Sequence, residues 1–431
     1  MGEGKPRSGG FLTLGFVIAI GMMLVAASAS AAGPVSFTTP QVMGYPAGDD
    51  WEPAVASDGA GNVYLLLTHF GGVPGCDGCA NPSMLVQVSH DGGRTFGTPA
   101  PLTVNAASQY DPEVQINQAG TVYVSYMLGK DTVVQRSTDY GASWSSPVAV
   151  NAGIKNSWTD KDGLAVRGDD VYVGFSIAQR VFVSTSHDGG QTFTPVQVNG
   201  NTIGWSLNGG ATIDPQGNVY MIWEAYHQSG NARGSIDVFV TSSSDRGTTW
   251  TLSYVDVGLP PGPDCSAFSC GWAYLGTGAQ IAADGAGTLY AIYNAPTYDQ
   301  GPPYVWFRVS RDGGATWGPR AIVSADGLPA FHVFPAIDAG AAGDVRVSWM
   351  DNRTGAFNVW YRSSADGGAS WSPEIRVSAY RSGYAYVTAE GFAFPYGDYY
   401  ILDLDPRGVV HMAWGEAPDY IGPGNVLYVH S

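Results

Sequence analysis

Carboxylates and large aromatic rings recur together in short segments of this chain. They are Asp49-Asp50-Trp51-Glu52, Tyr110-Asp111-Pro112-Glu113, Trp158-Thr159-Asp160-Lys161-Asp162 and Tyr396-Gly397-Asp398-Tyr399. Trp205, Trp272 with Tyr274, and His332 stand in comparable surroundings. Flat rings offer apolar faces to sugars, and carboxylates accept hydrogen bonds from sugar hydroxyls. Asp111, Asp160 and Asp398 are also candidates for acid–base work. Glycoside hydrolysis needs two carboxyl groups about 5–10 Å apart, one with a raised pKa. A hard cation such as Ca²⁺ is the one metal these carboxylates would suit, although no contiguous segment has calcium-loop spacing. No organic cofactor is expected: the chain has no serine elbow, zinc-protease helix or phosphate loop. Any single tryptophan here serves equally well as packing between sheets.

The elements that would position these groups come from a repeat. One octapeptide recurs six times, as Ser89–Phe96, Ser137–Trp144, Ser186–Phe193, Ser243–Trp250, Ser310–Trp317 and Ser364–Trp371. Its pattern is Ser-x-Asp-x-Gly-x-Thr/Ser-aromatic. The aspartate accepts bonds from nearby backbone amides and closes a turn, and glycine supplies a positive φ. These aspartates are hairpin fasteners, not catalysts. Ahead of each octapeptide runs a turn and an apolar strand, such as Gly61-Asn-Val-Tyr-Leu-Leu-Leu67 and Gly217-Asn-Val-Tyr-Met-Ile-Trp223. A seventh such strand, Gly408–Trp414, has no octapeptide after it. A period near fifty residues predicts one four-stranded blade per repeat. The expectation is an all-β, seven-bladed β-propeller, with six blades the alternative. Ser36–Val42 reads as a fourth strand and Asn425–Ser431 as a third, so the N-terminal segment would complete the last blade.

Composition agrees. Charged residues are 13% of the 431, Gly numbers 59, and the formal charge is −17. That is a turn-rich β composition, and its charge repels nucleic acid. Lys5 and Arg7 precede an apolar run from Phe11 to about Ala29, followed by Ala-x-Ala sites. This is the order of a secretory signal. Residues 1–32 are therefore expected to be removed, and 33–431 to form one soluble domain outside the cytoplasm, a monomer free of the membrane once the signal is cleaved; the alternative is that the apolar run is retained as a membrane anchor. Two short-range disulfides follow from an exported location, Cys76–Cys79 and Cys265–Cys270.

The octapeptide resembles the Asp-box, or BNR repeat, of the sialidase-like propellers. The resemblance covers nearly the whole chain after the signal. It implies that the octapeptides lie opposite the working face. Sialidases carry an arginine triad, a tyrosine nucleophile with a glutamate partner, and an aspartate acid. Carried over by counting from turn glycines and octapeptides, Tyr399 resembles the nucleophile and Asp77 lies in the loop of the acid. The arginine positions fall on Trp51, near Glu224 and near Phe357, and the glutamate near Asn208. Arg353 is the candidate stand-in for one arginine. A carboxylate clamp needs fixed bidentate arginines, so sialoside cleavage is not expected.

The reading is a secreted propeller that binds extracellular glycan or another cell-surface ligand. Trp51, Glu52, Tyr110, Asp111, Trp158, Asp160, Asp162, Trp205, Arg353 and Asp398 are its expected ligand contacts. The alternatives are a glycoside hydrolase using Tyr399, Asp77 and Glu224, and a non-catalytic structural surface protein.

Overall fold

The computed structural model describes residues 1–4, 35–154, 158–200, 205–227, 235–260, 278–299, 301–324, 330–379, 397, 399–416 and 424–431. The chain divides into two units, Met1–Gly33 and Pro34–Ser431. The export-signal expectation lies outside the described residues, as do Cys265 and Cys270. Among the described residues no helix is long and apolar enough to cross a membrane.

The second unit consists of seven four-stranded sheets. Blade 1 joins β2 (Asp49–Ser57), β3 (Val63–Phe70), β4 (Ser83–Ser89) and β5 (Ala100–Pro101). Blade 2 joins β6 (Gln109–Ile116), β7 (Val122–Leu128), β8 (Asp131–Ser137) and β9 (Val148–Ala149). Blade 3 joins β10 (Asp160–Arg167), β11 (Asp170–Ile177), β12 (Arg180–Ser186) and β13 (Thr194–Gln197). Blade 4 joins β14 (Ser206–Ile213), β15 (Val219–Tyr226), β16 (Ile236–Ser243) and β17 (Thr251–Gly258). Blade 5 joins β18 (Ala279–Ala283), β19 (Leu289–Pro296), β20 (Pro303–Ser310) and β21 (Ala321–Ile322). Blade 6 joins β22 (His332–Ala339), β23 (Val345–Asp351), β24 (Asn358–Ser364) and β25 (Ile375–Arg376). Blade 7 joins β26 (Ile401–Leu404), β27 (Val410–Glu416) and β28 (Asn425–His430) to β1 (Gln41–Val42) from the other end of the chain.

Closure is therefore by the N-terminal strand. Gln41 and Val42 register with Tyr428 and Leu427, the Thr38 amide donates to the His430 carbonyl, and Phe37 meets Tyr361 edge-on at 5.1 Å. Pairing the two chain ends leaves the last blade no open inner ladder.

The core lies between blades. Along β2, Ala54 and Ala56 pack with Val114 and Val124 of blade 2, whereas Val55 packs with Ala413 and Tyr428 of blade 7. Alternation along a strand thus sends side chains to two different neighbours. This explains why the second strands read as continuous apolar runs.

The octapeptides form one type of turn. Ser89 Oγ donates to Asp91 Oδ1, Thr95 N donates to Oδ1 and Thr95 Oγ1 to Oδ2. The same bonds recur at Asp139, Asp188, Asp245, Asp312 and Asp366. The Thr/Ser hydroxyl bonds lead in holding Asp91, Asp245 and Asp312 at about 2 and Asp139 and Asp366 below their usual range. Carboxylates fixed as anions in this way close turns and are poor proton carriers. Ser89 pairs with Val63, next to the β2–β3 turn. The octapeptides therefore occupy the face opposite the starts of the first strands.

Candidate functional site

The first strand of each blade borders the central channel, and five of the seven are broken where they enter it. Register slips between Trp51 and Ala54, Tyr110 and Glu113, Asp160 and Gly163, Asn208 and Gly210, and Val333 and Ala336. Each slip is a β-bulge, which re-aims side chains and ends regular pairing. Four bulges hold a non-glycine residue in the left-handed region: Glu52 at φ +48°, Asp111 at +52°, Lys161 at +43° and Phe334 at +52°. Such a backbone costs on the order of 1–3 kcal/mol per residue. In three cases proline follows, at Pro53, Pro112 and Pro335. Proline donates no amide, so a break in the ladder costs it nothing there. These four strained positions therefore all lie at one end of the ring, where the first strands enter it.

The bulges of blades 2 and 3 bring one cluster together. Lys161 Nζ lies 3.4 Å from Asp111 Oδ1 and 4.5 Å from the centre of the Tyr399 ring. Tyr399 stands two residues before β26, so this ammonium links blades 2, 3 and 7 at the channel mouth. Next along blade 3, Asp162 is 7% exposed, and its Oδ2 accepts a bond from Ser125 Oγ of β7. Ser125 registers with Glu113, which places Glu113 beside the same carboxyl group.

Three carboxyl groups this close cannot all ionise cheaply. Burial pushes Asp162 up to about 8, and the Asp111 charge adds to it against the opposing Ser125 bond and Lys161 charge. Burial raises Glu113 well above its ordinary value, with Asp162 and Asp111 contributing. Glu113 is partly exposed. The cluster thus combines an Asp111–Lys161 ion pair with two carboxyl groups, Asp162 and Glu113, whose burial favours their protonated forms.

The other expected residues are spread differently. Trp158 is 58% exposed and presents a free face, and Trp205 and Tyr110 are partly exposed. The Asp160 carbonyl accepts from Ser176 Oγ at 2.8 Å, pinning the start of β10. Glu52 is 5% exposed and abuts Gly397. Trp51 is 3% exposed and packs 4.9 Å from Phe70, so its ring works as a wedge in blade 1. Glu224 Oε1 accepts from the Ala279 amide at 2.6 Å, tying blade 4 to blade 5. Asp77 is exposed in the turn that the Cys76–Cys79 disulfide closes. Arg353 is held by Asp351 and Glu374, both at 2.5 Å, with its guanidinium 3.8 Å above Trp360. Phe357 is buried. None of these positions turns an unengaged guanidinium to the mouth. Asp398 lies outside the described residues. Among the described residues no group of three or more His, Cys, Asp or Glu is arranged to hold a metal ion.

Sequence reasoning missed the weight of Glu113 and Lys161, although both lie in segments it singled out. The signal was present: Asp111-Pro112 and Lys161-Asp162 occupy the same bulge position of successive repeats.

No family model matches this chain, and no curated protein does. Among solved structures it is similar to an ulvan lyase of polysaccharide lyase family PL25, at 10% identity and TM-score 0.58, over 90% of this chain and 95% of that one. It is also similar to a protein of unknown function from Dyadobacter fermentans, at 16% identity and TM-score 0.52, over 91% and 97%. A Hadza microbial sialidase aligns at 14% identity and TM-score 0.49, over 85% and 73%. At these identities the likeness is one of fold.

Proposed function

We propose that the channel mouth is a carbohydrate-binding site of an exported Asp-box propeller, and that it favours a neutral sugar. The observation that carries this reading is the Asp111–Lys161–Tyr399 contact across the mouth, with Trp158 exposed on the same face. The ion pair supplies a fixed acceptor and a fixed donor, and the aromatic rings supply stacking faces. An acidic sugar would need a free cationic clamp. Lys161 is already paired, Arg353 is engaged by two carboxylates, and the chain carries a formal charge of −17.

A second reading is hydrolysis of a glycosidic bond at the same mouth. It is favoured by one observation, the buried Asp162 carboxyl beside Glu113, where burial favours the protonated form of both. A carboxyl group that keeps its proton at pH 7 is what a general acid requires. Turnover of a panel of fluorogenic glycosides, sialoside included, separates the two. Binding without turnover supports the first reading. Turnover that Asp162→Asn and Tyr399→Phe abolish establishes the second.

A further inference from the structure

The connections from second to third strands stand on the mouth face, and their lengths differ sharply. Blade 1 uses twelve residues, 71–82, and blade 4 nine, 227–235. Blades 5, 6 and 7 use six to eight. Blades 2 and 3 use two each, Gly129-Lys130 and Ala178-Gln179. Both are tight turns opened by a left-handed residue, Gly129 at φ +67° and Ala178 at +55°. Such turns follow the twist of the hairpin and add little bulk beyond the strands. The wall of the mouth therefore has its least material over two consecutive blades.

Two tryptophans occupy one position of the repeat beside these turns. Each precedes a hydroxyl residue tied to the turn of the blade before it. Thr159 donates its amide to the Lys130 carbonyl at 3.1 Å and its hydroxyl to the same oxygen at 3.2 Å. Ser206 donates its amide to the Ala178 carbonyl at 2.8 Å and its hydroxyl to the Gln179 carbonyl at 3.4 Å. These bonds seat Trp158 beside the turn of blade 2 and Trp205 beside the turn of blade 3. Trp158 is exposed and Trp205 partly so. Among the described residues neither indole has a hydrogen bond or a ring contact. The fold does not require a ring there. Blades 1 and 2 carry Asp49 and Ser108 at the same position, and the next amide still bonds to the preceding blade, Asp50 to the Gly424 carbonyl and Gln109 to that of Pro82.

The spacing of the two rings bears on what they hold. Stacked sheets pack about 10 Å apart, so equivalent positions on consecutive blades are separated by roughly that distance or more. One pyranose cannot stack on both rings. The turns add no anion clamp: exposed Lys130 is followed by exposed Asp131, and Arg180 lies over the Phe182 ring at 5.3 Å.

We propose that the low rim of blades 2 and 3 is an extended subsite for a linear chain of at least three neutral sugars, one stacked on Trp158, another on Trp205 and at least one between them. This rests on the carbohydrate reading of the mouth and names its ligand as an oligosaccharide or polysaccharide chain, not a single terminal sugar. Lys161 lies three residues after Trp158, so the Asp111–Lys161 pair supplies the polar contacts at the inner end of the lane. Flat rings supply the stacking faces along it, and the two short turns leave the side of the mouth open for the chain to run out.

The test is titration calorimetry with cello-, xylo-, manno- and chito-oligosaccharides of one to six units, with melting temperatures measured alongside. Wild type should bind at least one series about tenfold more tightly at four units than at two. Trp205→Ala should erase that gain while leaving Tm and the affinity for one or two units as in wild type. Trp205→Phe should keep most of the gain. Extending the Ala178-Gln179 turn with Gly-Ser residues to the length of the blade 5 loop raises the rim without touching either ring, and it should also weaken only the longer chains. Lys161→Met should weaken every length. Short sugars that bind through Lys161 with no gain beyond two units would overturn the extended subsite and leave the carbohydrate reading standing. A loss equal at all lengths in Trp205→Ala would overturn it as well. No binding at any length would overturn both.

Discussion

Asp162 concentrates the electrostatics of the mouth. Its carboxyl is raised to about 8 by burial, so the folded state binds a proton that the unfolded chain releases near pH 4. Between pH 4 and 8 the unfolded state holds fewer protons, and stability falls as pH rises. Asp162→Asn keeps the shape and removes the titration. The variant should lose Asp162's share of that decline, on the order of a few kcal/mol at pH 8, while the raised Glu113 and Asp403 keep theirs, measured by denaturant unfolding at pH 5 and pH 8. Equal pH slopes in the two proteins would show that Asp162 ionises normally. Were the site to hydrolyse a glycoside, activity should fall as pH rises through about 8, because the acid form is then lost. Trp158 tests the other half of the mouth. Trp158→Ala removes an exposed ring without opening the core, so Tm should hold while sugar affinity drops about tenfold or more.

At the scale of elements, the ring is closed by β1, a strand of only two residues with Phe37 anchored beside it. Deleting residues 35–43 removes the pairing with β28 and the aromatic contact, and exposes the edge of the last blade. Tm should fall by about 5 °C or more, with greater self-association in sedimentation; an unchanged Tm and solubility would contradict closure by this strand. The repeat made this legible before any coordinates. Seven second strands against six octapeptides left one blade without a fastener, and only a segment outside the repeats could complete it. The bulges were harder to see. A strand that slips by one residue keeps its composition, and only the recurring Pro53, Pro112 and Pro335 betray the position. Without the bulges, Asp111 and Lys161 read as members of an acidic and aromatic ring, not as a bonded pair. Trp51 and Glu224 share the composition of that ring. Yet one is a wedge against Phe70 and the other a tie to the Ala279 amide, because burial is decided by neighbouring blades that no local pattern names.

For the whole molecule, the propeller separates two faces. One carries six octapeptide turns locked by ionised aspartates, and the other carries strained first-strand entries around a channel. The central claim is that the strained face binds carbohydrate through the Asp111–Lys161–Tyr399 bridge. The most direct measurement is a glycan array, followed by titration of the strongest hit, on wild type and Lys161→Met. Wild type should bind neutral glycans in preference to sialylated ones, and Lys161→Met should bind at least tenfold more weakly with an unchanged Tm. No glycan bound by wild type, or equal affinity in the two proteins, would contradict the claim.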